Sequence, residues 1–227
     1  MLGLLKRIKN QQNKKMYGAV VELLERNNIA SLRKKIKILI VDDEDEEIYE
    51  VLKERQYDAY YKKDMTYPIE AEPFDIIMMD IRGVAKRLRS NMEGFALACE
   101  IKNKYPLKRV CCYSGSVHHE ISEQLAERRI DAFFVKDMDI DKVCDKIDRL
   151  IMEYVDIEKQ WDVLREEMGK NRVNDEDIQK IRSAYFASFT NGDFIHLNEI
   201  VMGTLKNSTT MLNITSSILT LIKVLAV

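Results

Sequence analysis

The chain has 227 residues, 46% hydrophobic and 33% charged, enough apolar material for one domain of common size and a smaller companion under a soluble surface. Its net charge of −2 excludes no class of partner by itself, but the charge is unevenly spread. Residues 1–36 hold nine basic side chains (Lys6, Arg7, Lys9, Lys14, Lys15, Arg26, Arg33, Lys34 and Lys35) against Glu22 and Glu25, a net of +7 that leaves −9 on the remainder.

That basic segment, 1–35, reads as helical. Leu4, Leu5 and Ile8 share one face, and Ala19, Val20, Leu23 and Leu24 continue at helical spacing. Asn27 and Asn28 end the second segment, with Ser31 capping a short turn before the first strand. A basic amphipathic arm suits a partner helix, a membrane or nucleic acid, but a run of charge is more often a solvated face, and that reading is preferred. No recognition-helix pattern or aromatic interleaving supports nucleic-acid binding. The apolar patch at Met1–Leu5 is too short for a signal peptide. Cys99, Cys111, Cys112 and Cys144 have no metal-finger spacing and read as free thiols of a reducing cytoplasm.

Five apolar runs follow in alternation with helical patterns. Lys37–Val41 (KILIV) reads as a buried strand running into Asp42, Asp43, Glu44 and Asp45, a dense negative point whose repulsion calls for a cation or a lysine nearby. Ile48, Val51 and Leu52 mark a helix, and Ala59–Tyr61 a short second strand. Pro68 and Pro73 bracket an acidic loop before FDIIMMD at 74–80, whose unbroken run suits a strand covered on both faces. A basic loop with Arg82, Lys86, Arg87 and Arg89 comes next, then a helix from Phe95 to Tyr105 stopped by Pro106. Arg109–Tyr113 (RVCCY) is the fourth strand and Ala132–Val135 the fifth, with helices expected at His119–Arg129 and Ile140–Tyr154. This alternation calls for a doubly wound parallel sheet of five strands.

The carboxyl ends of such strands cluster on one edge, where ligands bind. They carry Asp42 and Asp43, Asp80, Ser114 and Lys136. Several carboxylates form a hard, all-oxygen site suited to Mg²⁺. A hydroxyl and an ammonium can hold the oxygens of a phosphoryl group on Asp80, a carboxylate able to act as nucleophile.

IVDDE at 40–44, FDIIMMD at 74–80, YSGS at 113–116 and FFVK at 133–136 together resemble the receiver (CheY-like) domain of two-component response regulators, over residues 36–154. The resemblance implies an α/β, flavodoxin-like sheet of strand order 2-1-3-4-5. It makes Asp80 the phosphoacceptor, with Asp43 binding Mg²⁺ directly, Asp42 assisting through water and the Arg82 backbone carbonyl completing the protein ligands. Ser114 is then the switch hydroxyl, Lys136 the phosphate-binding lysine and Phe133 the switch aromatic, and phosphorylation biases a two-state element. A histidine kinase or phosphotransfer protein is the implied donor, and the chain is a phosphoacceptor rather than an enzyme. Three features depart from the family pattern. Asp137 follows Lys136 where a proline is usual, the basic loop after Asp80 is several residues longer and able to shield the site, and no common DNA-binding module follows. His118 and His119 read as surface residues, Met78 and Met79 as core.

Residues 155–227 read as about four helices forming an interaction or oligomerisation region. Trp161, Leu164 and Met168 continue from the receiver, Gly169 breaks that helix, and Asn174 or Asp175 caps the next. Ile178, Ile181, Ala184, Tyr185 and Phe189 give another apolar face, and Phe194–Leu205 and Asn207–Val227 follow. Met211–Val227 is too short and too polar for a spanning helix, so membrane contact is a lesser alternative. The leading expectation is a cytoplasmic signalling protein acting through protein–protein contacts with an unknown output partner or a second copy. Its alternatives are a phosphorylation-independent receiver-fold scaffold and a transcription regulator with an atypical DNA-binding tail.

Overall fold

The computed structural model describes residues 28–44, 46–88, 93–115, 130–191 and 194–205. The basic segment before residue 28, Asp45, Arg89, the expected helix at His119–Arg129 with its neighbour His118, and the stretch Asn207–Val227 lie outside these residues. Ile29–Leu164 form one compact unit, and residues 165–205 belong to a second.

The first unit is built on five strands: β1 Lys37–Val41, β2 Asp58–Lys62, β3 Ile76–Asp80, β4 Arg109–Ser114 and β5 Ala132–Val135. All four pairings are parallel and the order is β2-β1-β3-β4-β5, the flavodoxin-like arrangement expected from the sequence. The central strands are unbroken apolar runs at Ile38–Val41 and Ile76–Met79 because both faces of the sheet are covered. Side chains alternate between the faces. Leu39, Val41, Ile77, Met79, Val110 and Cys112 pack with Phe95, Ala98 and Ile101 of helix α3, Glu93–Lys104. The other face, with Ile38, Ile40, Ile76, Met78 and Phe134, is equally buried. There the Lys146 ammonium of α4 (Ile140–Val155) lies 4.7 Å above the Phe134 ring, burying the stripe Val143, Ile147, Leu150, Ile151 and Tyr154. Two shorter helices, α1 (Ile29–Arg33) and α2 (Glu47–Glu54), bury Leu32 and Leu52.

Several elements differ in detail from the sequence expectation. Ser31 lies inside α1 instead of capping a turn, and its carbonyl accepts the Lys34 N–H. The third strand begins at Ile76, where the expected apolar run begins, and Asp75 just before it is buried with its carboxylate accepting the Lys37 N–H at 2.9 Å and the Tyr154 hydroxyl at 2.7 Å. The acidic loop is ordered by a 3-10 turn, Pro68–Ala71, in which Glu70 accepts N–H bonds from Thr66 and Tyr67 and pairs with Lys62. Burial would push the Glu70 carboxyl up, but these donors outweigh it and hold it low.

Charge is also buried at the sheet's amino edge, far from the strand ends that matter chemically. Asp131 accepts from Lys102, from Arg109 at 2.9 Å and from the Val110 N–H. Burial alone would raise the Asp131 carboxyl, yet Lys102 and Arg109 keep it below its ordinary value. This triad fixes the start of β4 relative to α3, so that its far end is set as well.

The helix after α4 is not its continuation. Asp156 takes an extended ψ of 100°, and its carboxylate caps the next helix, α5 (Ile157–Lys170), by accepting the N–H groups of Glu158 and Lys159. Gly169 does not break α5. The turn comes at Arg172, whose φ of 56° lets the Val173 N–H return to the Met168 carbonyl. In the second unit, α6 (Asp175–Asn191) starts at Asn174, which accepts the Asp177 N–H as expected, and α7 (Phe194–Thr204) follows. Tyr185, Phe186, Phe189 and Phe194 form the aromatic contacts of this pair. Among the described residues no helix is long and apolar enough to cross a membrane.

Candidate functional site

Three of the five strands bring carboxylates or an ammonium to one edge of the sheet. Asp42 follows β1, Asp80 ends β3 and Lys136 follows β5. Oxygens of Asp42, Asp43 and Asp80 lie within 4.8 Å of one another. The Lys136 ammonium stands 2.7 Å from Asp42 Oδ2 and 2.7 Å from Asp80 Oδ2, bridging them. Desolvation would lower the Lys136 ammonium, but the two carboxylates outweigh it and raise it. Burial pushes the Asp80 carboxyl up, against the pull of Lys136 and with the neighbouring Asp42 charge adding to the rise. The acids crowded at this edge therefore do have the nearby lysine that their repulsion demanded.

The three acids are not equivalent. Asp42 is fully buried and takes three protein donors, with Oδ1 accepting the Glu44 N–H at 2.9 Å and Oδ2 accepting Lys136 and the Tyr113 hydroxyl at 2.7 Å. Asp43 keeps about a quarter of its side-chain surface exposed (24%), and Asp80 a tenth (10%). These two are the acids with open oxygens facing solvent. An all-carboxylate donor set of this size matches a hard divalent cation that retains several waters. Asp43 and Asp80 fit direct ligation, and the buried Asp42 fits contact through water.

Tyr113 escapes the sequence reading because an aromatic in an apolar strand looks like core. In the register Asp80 pairs with Tyr113, so strand alternation places the phenol on the Asp80 face, and its ring lies 5.1 Å below the Lys136 ammonium. Ser114 is one residue further, buried at the end of β4, where its carbonyl accepts the Lys136 N–H at 2.9 Å. Phe133, half-buried in β5, packs with the Met79 and Cys112 face of the core. Ser114 and Phe133 thus share one parity of the sheet, and Asp80 and Tyr113 the other.

Arg82 belongs to the turn leaving β3, and its N–H approaches Asp80 Oδ1 at 3.4 Å. Beyond it the described part of the long basic loop folds back onto the acids: Lys86 lies 3.1 Å from Asp43 Oδ2, a contact the sequence reading also missed. Two glycines permit the close packing. A Cβ on Gly83 would meet Asp43 Oδ1 at 2.1 Å, and one on Gly94 would meet the Asp80 carbonyl oxygen at 1.8 Å. The Gly94 N–H donates to Ile81 at 3.1 Å, tying the start of α3 to the end of β3.

No protein-family model matches the chain, and no curated protein does. Among solved structures it is similar to a CheY-like response regulator receiver domain protein from Methanospirillum hungatei JF-1, at 20% identity and a TM-score of 0.44, over 52% of this chain and 95% of that one. It is similar to the receiver domain of NtrX from Brucella abortus at 24% identity and a TM-score of 0.40, over 51% of this chain and 98% of that one. Against a longer NtrX structure from the same organism the identity is 20% and the TM-score 0.43, with 66% of this chain spanning 33% of that one. These are likenesses of fold, and the sheet of this chain is five-stranded and all-parallel.

Proposed function

We propose that the chain is a response-regulator-like signalling protein in which Asp80 accepts a phosphoryl group and the helical parts of the chain pass the signal on by protein contact. The observation that carries this reading is the Lys136 ammonium bridging Asp42 and Asp80 beside the more open Asp43. In the reaction an Asp80 carboxylate oxygen bonds to phosphorus as the phosphorus–nitrogen bond of a phosphohistidine donor breaks, and the histidine nitrogen leaves with the electron pair. The donor is a histidine kinase or a phosphotransfer protein, which implies a cytoplasmic location. Asp43, Asp80 and the Arg82 carbonyl would hold a Mg²⁺ ion, with Asp42 assisting through water, and the ion would supply charge neutralisation for the phosphoryl oxygens. Lys136 moves from the Asp80 carboxylate to a phosphoryl oxygen, while Asp42 keeps the other side of its ammonium. Ser114 supplies the hydroxyl that follows the phosphoryl group, and Phe133, of the same sheet parity, adjusts with it. The chain itself contributes positioning and self-catalysed gain and loss of phosphate, and no further enzyme activity.

A second reading, a receiver-fold scaffold that takes no phosphate, draws on Lys86 and Lys136 already neutralising Asp43 and Asp80. Incubation with Mg²⁺ and acetyl phosphate separates the two. One acid-stable, base-labile phosphate, seen by intact mass and absent from Asp80→Ala, supports the switch. No label on a folded chain with Mg²⁺ present leaves the scaffold.

A further inference from the structure

The loop that leaves β3 is fastened to the segment before the 3-10 turn at residues on either side of Lys86. Val84 and Ala85 are buried. The Ala85 N–H donates to Asp64 Oδ1 at 2.6 Å, an oxygen that also accepts the Met65 N–H at 2.7 Å. On the other side Arg87 donates to the Thr66 carbonyl at 3.0 Å, and its guanidinium stacks 4.4 Å above the Tyr67 ring. Ala85 takes a φ of 55°, an unfavoured conformation for a residue with a Cβ that persists where surrounding contacts over-determine it. The backbone of Lys86 is therefore placed from both sides, and its ammonium stands 3.1 Å from Asp43 Oδ2. Gly83, at φ 79°, lies against the other oxygen of the same carboxylate. Asp42 is fully buried and takes three protein donors, so Asp43 and Asp80 are the more open acids for a cation, and each has a lysine on its Oδ2.

We propose that Lys86 is a built-in counter-ion that competes with the divalent cation for Asp43, so that the loop after Asp80 sets the cation affinity of the site. The proposal rests on the reading of these acids as a metal site. A cation that takes Asp43 must displace Lys86, whose charge also repels it across the few ångströms between them. The Asp43–Lys86 pair is exposed on the lysine side (65%), which keeps its own contribution small. Pair and repulsion together correspond to about a three- to tenfold weakening of Mg²⁺ binding at low salt. Because ions screen an exposed lysine, the effect shrinks as ionic strength rises. A phosphodonor or partner surface that draws Lys86 away would then admit the cation at the moment of transfer.

Calorimetric titration of the full chain with Mg²⁺ tests this, using wild type, Lys86→Gln, Lys86→Arg and, as a control for overall charge, Lys53→Gln on α2. The proposal expects Lys86→Gln to bind about three- to tenfold more tightly at low salt, with the gap closing at high salt. Lys86→Arg and Lys53→Gln should bind as wild type does. Unchanged or weaker binding by a folded Lys86→Gln overturns it, as does equal tightening by Lys53→Gln. No Mg²⁺ binding by any chain overturns the metal reading itself and this proposal with it, an outcome distinct from binding that ignores Lys86.

Discussion

The Tyr113 hydroxyl donates to Asp42 Oδ2 at 2.7 Å across the sheet, from a strand two places away from the one that delivers Asp42. Tyr113→Phe keeps the ring beneath Lys136 and removes one donor from a buried carboxylate. A hydrogen bond to a charged group contributes about 1.5–3 kcal/mol, and urea unfolding should show a loss of that size. An unchanged midpoint would mean that another donor replaces the phenol.

Removing the bridge itself should be worse. Lys136→Met leaves Asp42 and Asp80 facing each other without their shared cation. Breaking a buried pair by removing one partner typically costs about 3–5 kcal/mol; with Lys136 a quarter exposed (24%), about 2–4 kcal/mol is expected. The same variant should take no phosphate from acetyl phosphate, and mass spectrometry reads that directly.

Gly83→Ala combines two penalties at one position. Its φ of 79° disfavours a Cβ, and that Cβ would enter the Asp43 carboxylate. Backbone strain alone costs about 1–3 kcal/mol. Since Asp43 has to move, Mg²⁺ binding should weaken more than global stability falls. A variant that loses stability but binds Mg²⁺ normally would show that Asp43 adjusts in place.

Lys108 provides a pH signature. Burial pushes its ammonium down to about 8, although its charge still meets Asp75 and it donates to the Glu72 and Phe74 carbonyls. A lysine lowered by folding is protonated in the unfolded chain and neutral in the fold between about pH 8 and its ordinary value of 10.5, so the unfolded state binds the extra proton there. Stability then gains about 1.4 kcal/mol per pH unit as pH rises through that window. Relative to Lys108→Met, wild type should become steadily more stable from pH 8 upward. A parallel course of the two chains would place the Lys108 titration outside the window.

Much of this was legible in the residues. KILIV, IIMMD and AFFV read as strands because strands buried on both faces need no polar alternation, and their ends supplied Asp42, Asp80 and Lys136 in the right order. What was not legible depends on three-dimensional register. Tyr113 looks like core until its pairing with Asp80 is known. Lys86 is one of several basic residues in its loop, and it is singled out only because Asp64, some twenty residues earlier, holds the neighbouring Ala85. The expected helix Ile140–Tyr154 ends within a residue of the observed α4, whereas the cap at Asp156 was within reach but not read, although an aspartate just before a helix is a cap signal.

The first turns of α5 carry one more implication. Gln160 is fully buried and donates to the Tyr154 carbonyl at 2.7 Å and to the Leu107 carbonyl at 3.5 Å, while Ile157, Trp161 and Leu164 are buried as well. A fragment cut at Val155, where the sheet and the acidic cluster are already complete, would strip these groups and leave an apolar scar over the α3–β4 corner. The shortest fragment that keeps this unit's buried groups covered therefore ends near Leu164, so the end of the sheet and its last helix and the boundary drawn by burial differ by more than two helical turns.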